Sequence, residues 1–188
     1  AGRRRRSDGR LMRAVISKAP GDAHSLLFGE LPTPSCGPGM VRIRVAAVAI
    51  NYPDALMIED RYQFRPPRPF APGGEISGII EEIGPGVSNL AVGMRVLALT
   101  TFGGMAEQVA VAADRAFEIP PTMPFDVAAG LLMTYGTALH ALTERAGLRA
   151  GEVLLVLGGA GGVGTATIEL GKAMGARVVA GVSSAAKA

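Results

Sequence analysis

The chain has 188 residues, 48% of them hydrophobic, with 26 glycines, 13 prolines and a single cysteine, Cys36. That length supports a core spread over one or two domains, and a lone cysteine excludes an intrachain disulfide, so a reducing, cytoplasmic setting is the expectation. The net charge of +3 is local, because residues 1–11 hold five arginines and Asp8 while the remainder sums to −1; neither a nucleic-acid surface on the body nor a membrane helix of roughly 18 apolar residues is present.

In chain order, residues 1–11 read as a basic disordered extension. Its Arg3–Arg6 cluster suits an unfolded tail, a leader remnant or a nucleic-acid arm. Met12–Ser17 and His24–Glu30 read as strands that can pair as a hairpin, and Leu31–Gly39, with three prolines and two glycines, as a loop. Met40–Ile50 alternates Arg42 and Arg44 against apolar neighbours, the period of a strand with one wet face. Asn51-Tyr52-Pro53-Asp54 ends it, with Pro53 suited to the first turn of a short helix through Ile58. The proline-laden stretch 63–74 reads as extended loop. Strands are expected at Ile76–Gly84, Met94–Leu99, Ala106–Ala112 and Ala116–Ile119. Short strands with no helix between them predict a compact antiparallel or barrel-like domain over residues 12–120.

Helical periodicity begins only after Pro121, in Phe125–Leu132 and Thr134–Ala146, with a break near Met133. Val153–Leu157 is continuously apolar, which predicts a strand buried on both faces of a parallel sheet. Gly159, Gly161 and Gly164 follow in G-x-G-x-x-G spacing, then a helix over 165–174 and a second strand at Arg177–Val182. Strand, glycine turn and helix in this order point to a dinucleotide. The first glycine permits the turn, the second lets backbone approach a pyrophosphate, and the third lets helix lie close to strand. An NAD site usually places a carboxylate about 20 residues further on. Here none occurs after Gly171, and Ser183, Ser184 and Lys187 offer hydroxyls and a cation for a 2′-phosphate. That favours NADPH, with Lys187 as a solvated residue the alternative.

N-Y-P-D-A-L-M-I-E-D-R-Y-Q, then P-G-G-E, T-Y-G-T-A and G-G-V-G, resemble the medium-chain dehydrogenase/reductases. Within them the chain is similar to the zinc-independent NADPH:quinone oxidoreductases, the zeta-crystallin-like branch. The resemblance implies an α/β fold with a β-rich N-terminal part. A GroES-like catalytic domain over 12–120 would be followed over 121–188 by linking helices and the first part of a Rossmann doubly wound parallel sheet. The family continues through further strands, so this chain alone is expected to bind NADPH weakly and turn over little; the intact fold implies a homodimer.

In zinc-dependent members a cysteine stands where Asn51 falls and a histidine where Gly74 falls, so the resemblance implies no metal. One cysteine and two histidines, at 36, 24 and 140, do not supply three protein ligands. Glu75 is then expected to be structural, and Asp54 to cap the short helix. By resemblance, Asn51 and Thr134 contact the nicotinamide half of NADPH, and Gly159, Ala160, Gly161, Gly162, Val163 and Gly164 the phosphates. Tyr52 and Tyr62 are candidates to bind an acceptor carbonyl, with ordinary packing as the alternative reading of each. The implied activity is hydride transfer from NADPH to a quinone or similar electron-poor carbonyl. An enoyl-type reductase of conjugated double bonds and a non-catalytic NADPH-binding protein are the alternatives.

Overall fold

The computed structural model describes residues 9–187. The arginines expected to form a disordered extension at 3–6 lie outside the described residues. The chain divides into two compact units, one up to Gly130 and one from Leu131.

In the first unit, β1 (Leu11–Ile16) and β2 (Leu27–Pro32) pair antiparallel with Val15 opposite Phe28. β2 starts later than the sequence suggests, because Asp22 caps a single 3-10 turn at Ala23–Ser25 through the His24 N–H and keeps His24 out of the strand. β3 (Met40–Ala49), β4 (Glu75–Ile83), β5 (Arg95–Leu99), β6 (Gln108–Ala112) and β7 (Ala116–Glu118) form an antiparallel sheet in the order β6-β3-β4-β5-β7. Single antiparallel bridges from Ala14 to Ala106 and from Ser17 to Phe70 join the hairpin to the loops around this sheet.

The alternation read in β3 is realised. Val41 and Ile43 are fully buried with Ile76, Ile80 and Val96, each side chain contributing about 1.5–3 kcal/mol of burial. On the opposite face Arg42 pairs with Glu82 at 2.7 Å and Arg44 with Glu81 at 3.0 Å, both across to β4. β3 carries two register irregularities, at Arg42/Ile43 and Val45/Ala47. Gly78 of β4 lies opposite Val45 at the second of these, and a Cβ there would run into the Arg44 carbonyl. The short helix α1 (Tyr52–Ile58) starts where Asn51 and Pro53 suggest, and α2 (Phe125–Ala129) packs on β3 and β4.

The second unit opens with helical residues 132–145: a π turn at Leu132–Gly136, α3 (Thr137–His140), and a second π turn at Ala141–Arg145. The break expected near Met133 falls instead at Gly130, which ends α2 with its N–H bonded to the Val127 carbonyl. Next come β8 (Val153–Leu157), α4 (Gly162–Ala173) and β9 (Arg177–Gly181), with β8 and β9 parallel.

The expectation that β8 is buried on both faces is not met: Val153, Leu155 and Leu157 are 63%, 61% and 80% exposed. Side chains alternate across a strand, and α4 covers only the face that carries Leu154 and Val156. No described residue covers the other.

Replacing Gly78 with alanine is expected to destabilise the first unit by about 1–3 kcal/mol, because the clash is with main chain that cannot rotate away. A lowered denaturant midpoint at unchanged slope checks this.

Candidate functional site

The start of α1 and the loop into β4 are joined by one buried carboxylate. Asp54, 2% exposed, accepts the Asn51 N–H on Oδ2 at 2.8 Å and the Gly73 N–H on Oδ1 at 3.1 Å. The first contact closes the N-terminus of α1, as the N-x-x-D spacing suggests. The second reaches 19 residues ahead, to the P-G-G-E segment. Burial pushes the Asp54 carboxyl above its ordinary value of 3.8 and outweighs the backbone N–H groups of Asn51, Gly73 and Gly74, which act in the other direction.

Asn51 and Glu75 meet as a consequence. Asn51 Nδ2 donates to Glu75 Oε2 at 3.1 Å, and Glu75 is fully buried at the first position of β4. Gly74 lies between the two clamped positions with no room to spare: a Cβ would stand 3.0 Å from the Thr101 carbonyl oxygen.

The two tyrosines lie at the start of α1 and in the loop that follows it. Tyr52, at its first position, is 74% exposed. Tyr62 is half-buried in the loop after the helix, with its N–H bonded to the Leu56 carbonyl. Arg68 fastens that loop by donating to the Ile58 carbonyl at 2.9 Å, to Asp60 Oδ1 at 2.6 Å and to the Ser17 hydroxyl. Sequence reasoning assigns Arg68 no part, since its partners are brought together only by the fold.

In the second unit the shape of the glycine-rich turn is set by its glycines. Gly158 has φ +73°, so the left-handed residue of the turn is the glycine before the G-x-G-x-x-G run. Gly159 is buried, and its Cβ would crowd Ile168 and Ala180 at 3.1 and 3.2 Å. Gly164 lets the first turn of α4 approach the strand end, because a Cβ would lie 2.9 Å from the Gly159 Cα. The first intrahelical bond of this turn runs from the Thr165 N–H to the Gly161 carbonyl, which leaves the N–H groups of Gly162, Val163 and Gly164 at the open end of α4.

Leu157, Gly158, Ala160 and Gly161 line one side of a groove of about 550 Å³, and Gly181, Val182, Ser183 and Lys187 line the other. Lys187 Nζ donates to Ser183 Oγ at 3.3 Å. Ser184 lends its carbonyl to the Lys187 N–H and is not part of the groove wall. Thr134 reaches the same region from the first π turn, its methyl group standing 3.1 Å from where a Gly162 Cβ would be. That π turn is tied to α4 by Tyr135, whose hydroxyl donates to Glu169 Oε2 at 2.5 Å. The Glu169 carboxylate raises the Tyr135 phenol above its usual value. Neither Tyr135 nor Glu169 is legible as a pair in the sequence, since 34 residues separate them.

His140 is exposed, and no group of three His, Cys, Asp or Glu residues among the described residues is placed to hold a metal ion. No described helix is long and apolar enough to cross a membrane.

Residues 37–121 match the alcohol dehydrogenase GroES-like domain family. The chain is 38% identical over 152 residues to a quinone oxidoreductase-like protein 2 homolog of Nematostella vectensis, covering 80% of this chain and 42% of that protein. It is 37% identical over 179 residues to the human synaptic vesicle membrane protein VAT-1 homolog, covering 94% and 46%. The structure is similar to the quinone oxidoreductase of Thermus thermophilus, a protein also solved as its NADPH complex. That match has a TM-score of 0.82 and 37% identity, and covers 94% of this chain and 55% of the other. The chain thus spans about half the length of the proteins it matches.

The raised Asp54 carboxyl sets a pH dependence. The folded state holds this proton more tightly than the unfolded chain, so the Asp54 contribution is complete below pH 3.8 and declines as pH rises through the higher folded value. Asp54→Asn is expected to cost about 1–3 kcal/mol, because an amide nitrogen replaces one of the two acceptors. Thermal unfolding of both proteins from pH 3 to 7 should show the wild-type advantage largest in acid and shrinking as pH rises.

Proposed function

Because the chain belongs to the quinone-oxidoreductase-like medium-chain dehydrogenase/reductases, we propose that its protein is an oxidoreductase that transfers a hydride from NADPH to a quinone or similar electron-poor carbonyl. The observation that carries this reading is the groove between the glycine turn and the end of β9.

The residues there fit the cofactor. The N–H groups of Gly162, Val163 and Gly164 suit a pyrophosphate at the start of a twelve-residue helix. Gly159, Ala160 and Gly161 keep the approach to it free of bulky side chains. Ser183 and Lys187 stand at the other wall, where a hydroxyl and an ammonium can take a 2′-phosphate and no carboxylate from 172 to 188 repels it. Ser184 is adjacent in the same turn and can add its hydroxyl. The Thermus thermophilus relative with NADPH supports the same choice.

When bound, the nicotinamide supplies the hydride. The chain's own residues orient it: Thr134 from the π turn beside Gly162, and Asn51 from the start of α1. Tyr52 and Tyr62 are the groups proposed to donate to the acceptor oxygen; each carries a phenol able to stabilise a developing oxyanion. A quinone delocalises that charge into its own ring and so makes no demand for a Lewis acid. Asn51 and Gly74 stand where zinc-dependent relatives place two metal ligands, and a side chain longer than hydrogen at 74 would press on the Thr101 carbonyl. Those residues support a zinc-independent site.

Calorimetry with NADPH and NADH is expected to show tighter NADPH binding. Lys187→Ala should weaken NADPH by about tenfold, the loss of one charge-assisted hydrogen bond, and leave NADH unchanged. Equal affinity for both coenzymes in the wild type would overturn the 2′-phosphate reading. Loss of NADPH absorbance with a panel of acceptors tests the reaction. A quinone should be the better substrate, a preference for a conjugated enone would make the protein a double-bond reductase, and no oxidation by any acceptor would make it a binding protein.

A further inference from the structure

An asparagine at a helix N-cap ordinarily turns its side chain to the N–H groups of the first helical turn. With Asp54, whose N–H also lies 3.0 Å from the Asn51 main-chain carbonyl, Asn51 forms a capping box in which its side chain faces that N–H. Its amide nitrogen is directed out of the helix toward β4, where Nδ2 donates to Glu75 Oε2 at 3.1 Å.

Glu75 is an unexpected residue for that place. It is fully buried at the start of a central strand, paired with Ala49 on one side and Leu99 on the other. A buried carboxyl group is unfavourable unless it is hydrogen-bonded, and an apolar residue of similar size often serves stability as well. What a carboxylate does that neither an apolar residue nor an amide can do is accept only. Facing one, the Asn51 carboxamide has a single satisfactory orientation: nitrogen toward Glu75, oxygen away from it. Glutamine at 75 would satisfy either orientation.

We propose that Glu75 is a positioning residue that orients the Asn51 carboxamide, so that Asn51 Oδ1 is presented as an acceptor to the carboxamide N–H of a bound nicotinamide. This rests on the reading of Asn51 as a nicotinamide contact. The Asp54 clamp serves the same arrangement by holding the Asn51 main chain and the Gly73 main chain at the two ends of the Asn51–Glu75 contact.

The experiment compares wild type, Glu75→Gln, Asn51→Ala and the double variant in three measurements on the purified protein. These are affinity for NADPH, affinity for 2′,5′-ADP, which has no nicotinamide, and the thermal unfolding midpoint. Glu75→Gln is expected to weaken NADPH about five- to tenfold and to leave 2′,5′-ADP within about twofold. Asn51→Ala should do the same, and the double variant should bind NADPH no worse than Asn51→Ala alone.

A merely structural Glu75 would lower the unfolding midpoint and weaken both ligands together, which overturns the proposal. An unchanged NADPH affinity in Glu75→Gln beside a weakened one in Asn51→Ala overturns the positioning role and leaves the reading of Asn51 standing. An unchanged affinity in Asn51→Ala overturns both. Should Glu75→Gln fail to fold, the wild type still decides. The Asn51 side-chain N–H resonances should exchange slowly with solvent without cofactor and should shift on adding NADPH but not 2′,5′-ADP. Exchange as fast as in an unfolded chain overturns the proposal.

Discussion

The first unit depends on the carboxylate of Asp54. Its two oxygens each take a backbone N–H, one from the start of its own helix and one from a loop 19 residues away. A single side chain therefore sets both the end of β3 and the beginning of β4. Burial makes that arrangement sensitive, since a carboxylate this far from water is stable only while both acceptors are used. The chemistry of the α1 end follows from it: Asn51 and Glu75 are neighbours because the segments carrying them share one anchor. Gly74, between them, is constrained by the Thr101 carbonyl rather than by any property of its own segment.

The second unit depends on the absence of side chains. β8 and α4 can meet at the nucleotide turn only because Gly164 has no Cβ to press on Gly158 and Gly159, and they pack along their length only because Gly171 leaves room for Leu154. Close approach brings the open end of α4 beside the groove that runs to Ser183 and Lys187. The π turn with Thr134 is held at the same end through Tyr135 and Glu169. Phosphate geometry and helix packing are thus two outcomes of one steric condition.

Much of this is legible locally. The alternation of Arg42 and Arg44 with Val41 and Ile43 foretells a strand with one core face, because side-chain direction in a strand is a property of adjacent residues. The N-Y-P-D segment foretells the start of α1 for a similar reason: capping acts over three or four residues. The glycine spacing foretells strand, turn and helix, although the left-handed residue is Gly158, outside the spaced run. Two adjacent glycines are equally able to take that conformation, and only the path of the chain chooses between them. His24 reads as strand but is not, because the competing capping bond from Asp22 is a side-chain choice that apolar periodicity does not report. β8 reads as buried on both faces because apolar composition records what a strand tolerates, not how many layers the described chain places against it.

The sequence by itself determined the local elements, the glycine turn, the missing acidic residue after β9 and the residue types at positions 51, 74 and 75. Each of these is a property of neighbouring residues or of composition. Only the tertiary structure decided that Asp54 bonds to Gly73, that Asn51 turns its amide to a buried Glu75, that Arg68 fastens the loop carrying Tyr62, and that Thr134 stands beside Gly162. Those contacts join residues far apart along the chain. A carboxylate or a guanidinium can accept or donate to many partners, and which partner it meets is set by the packing of the strands and helices between them.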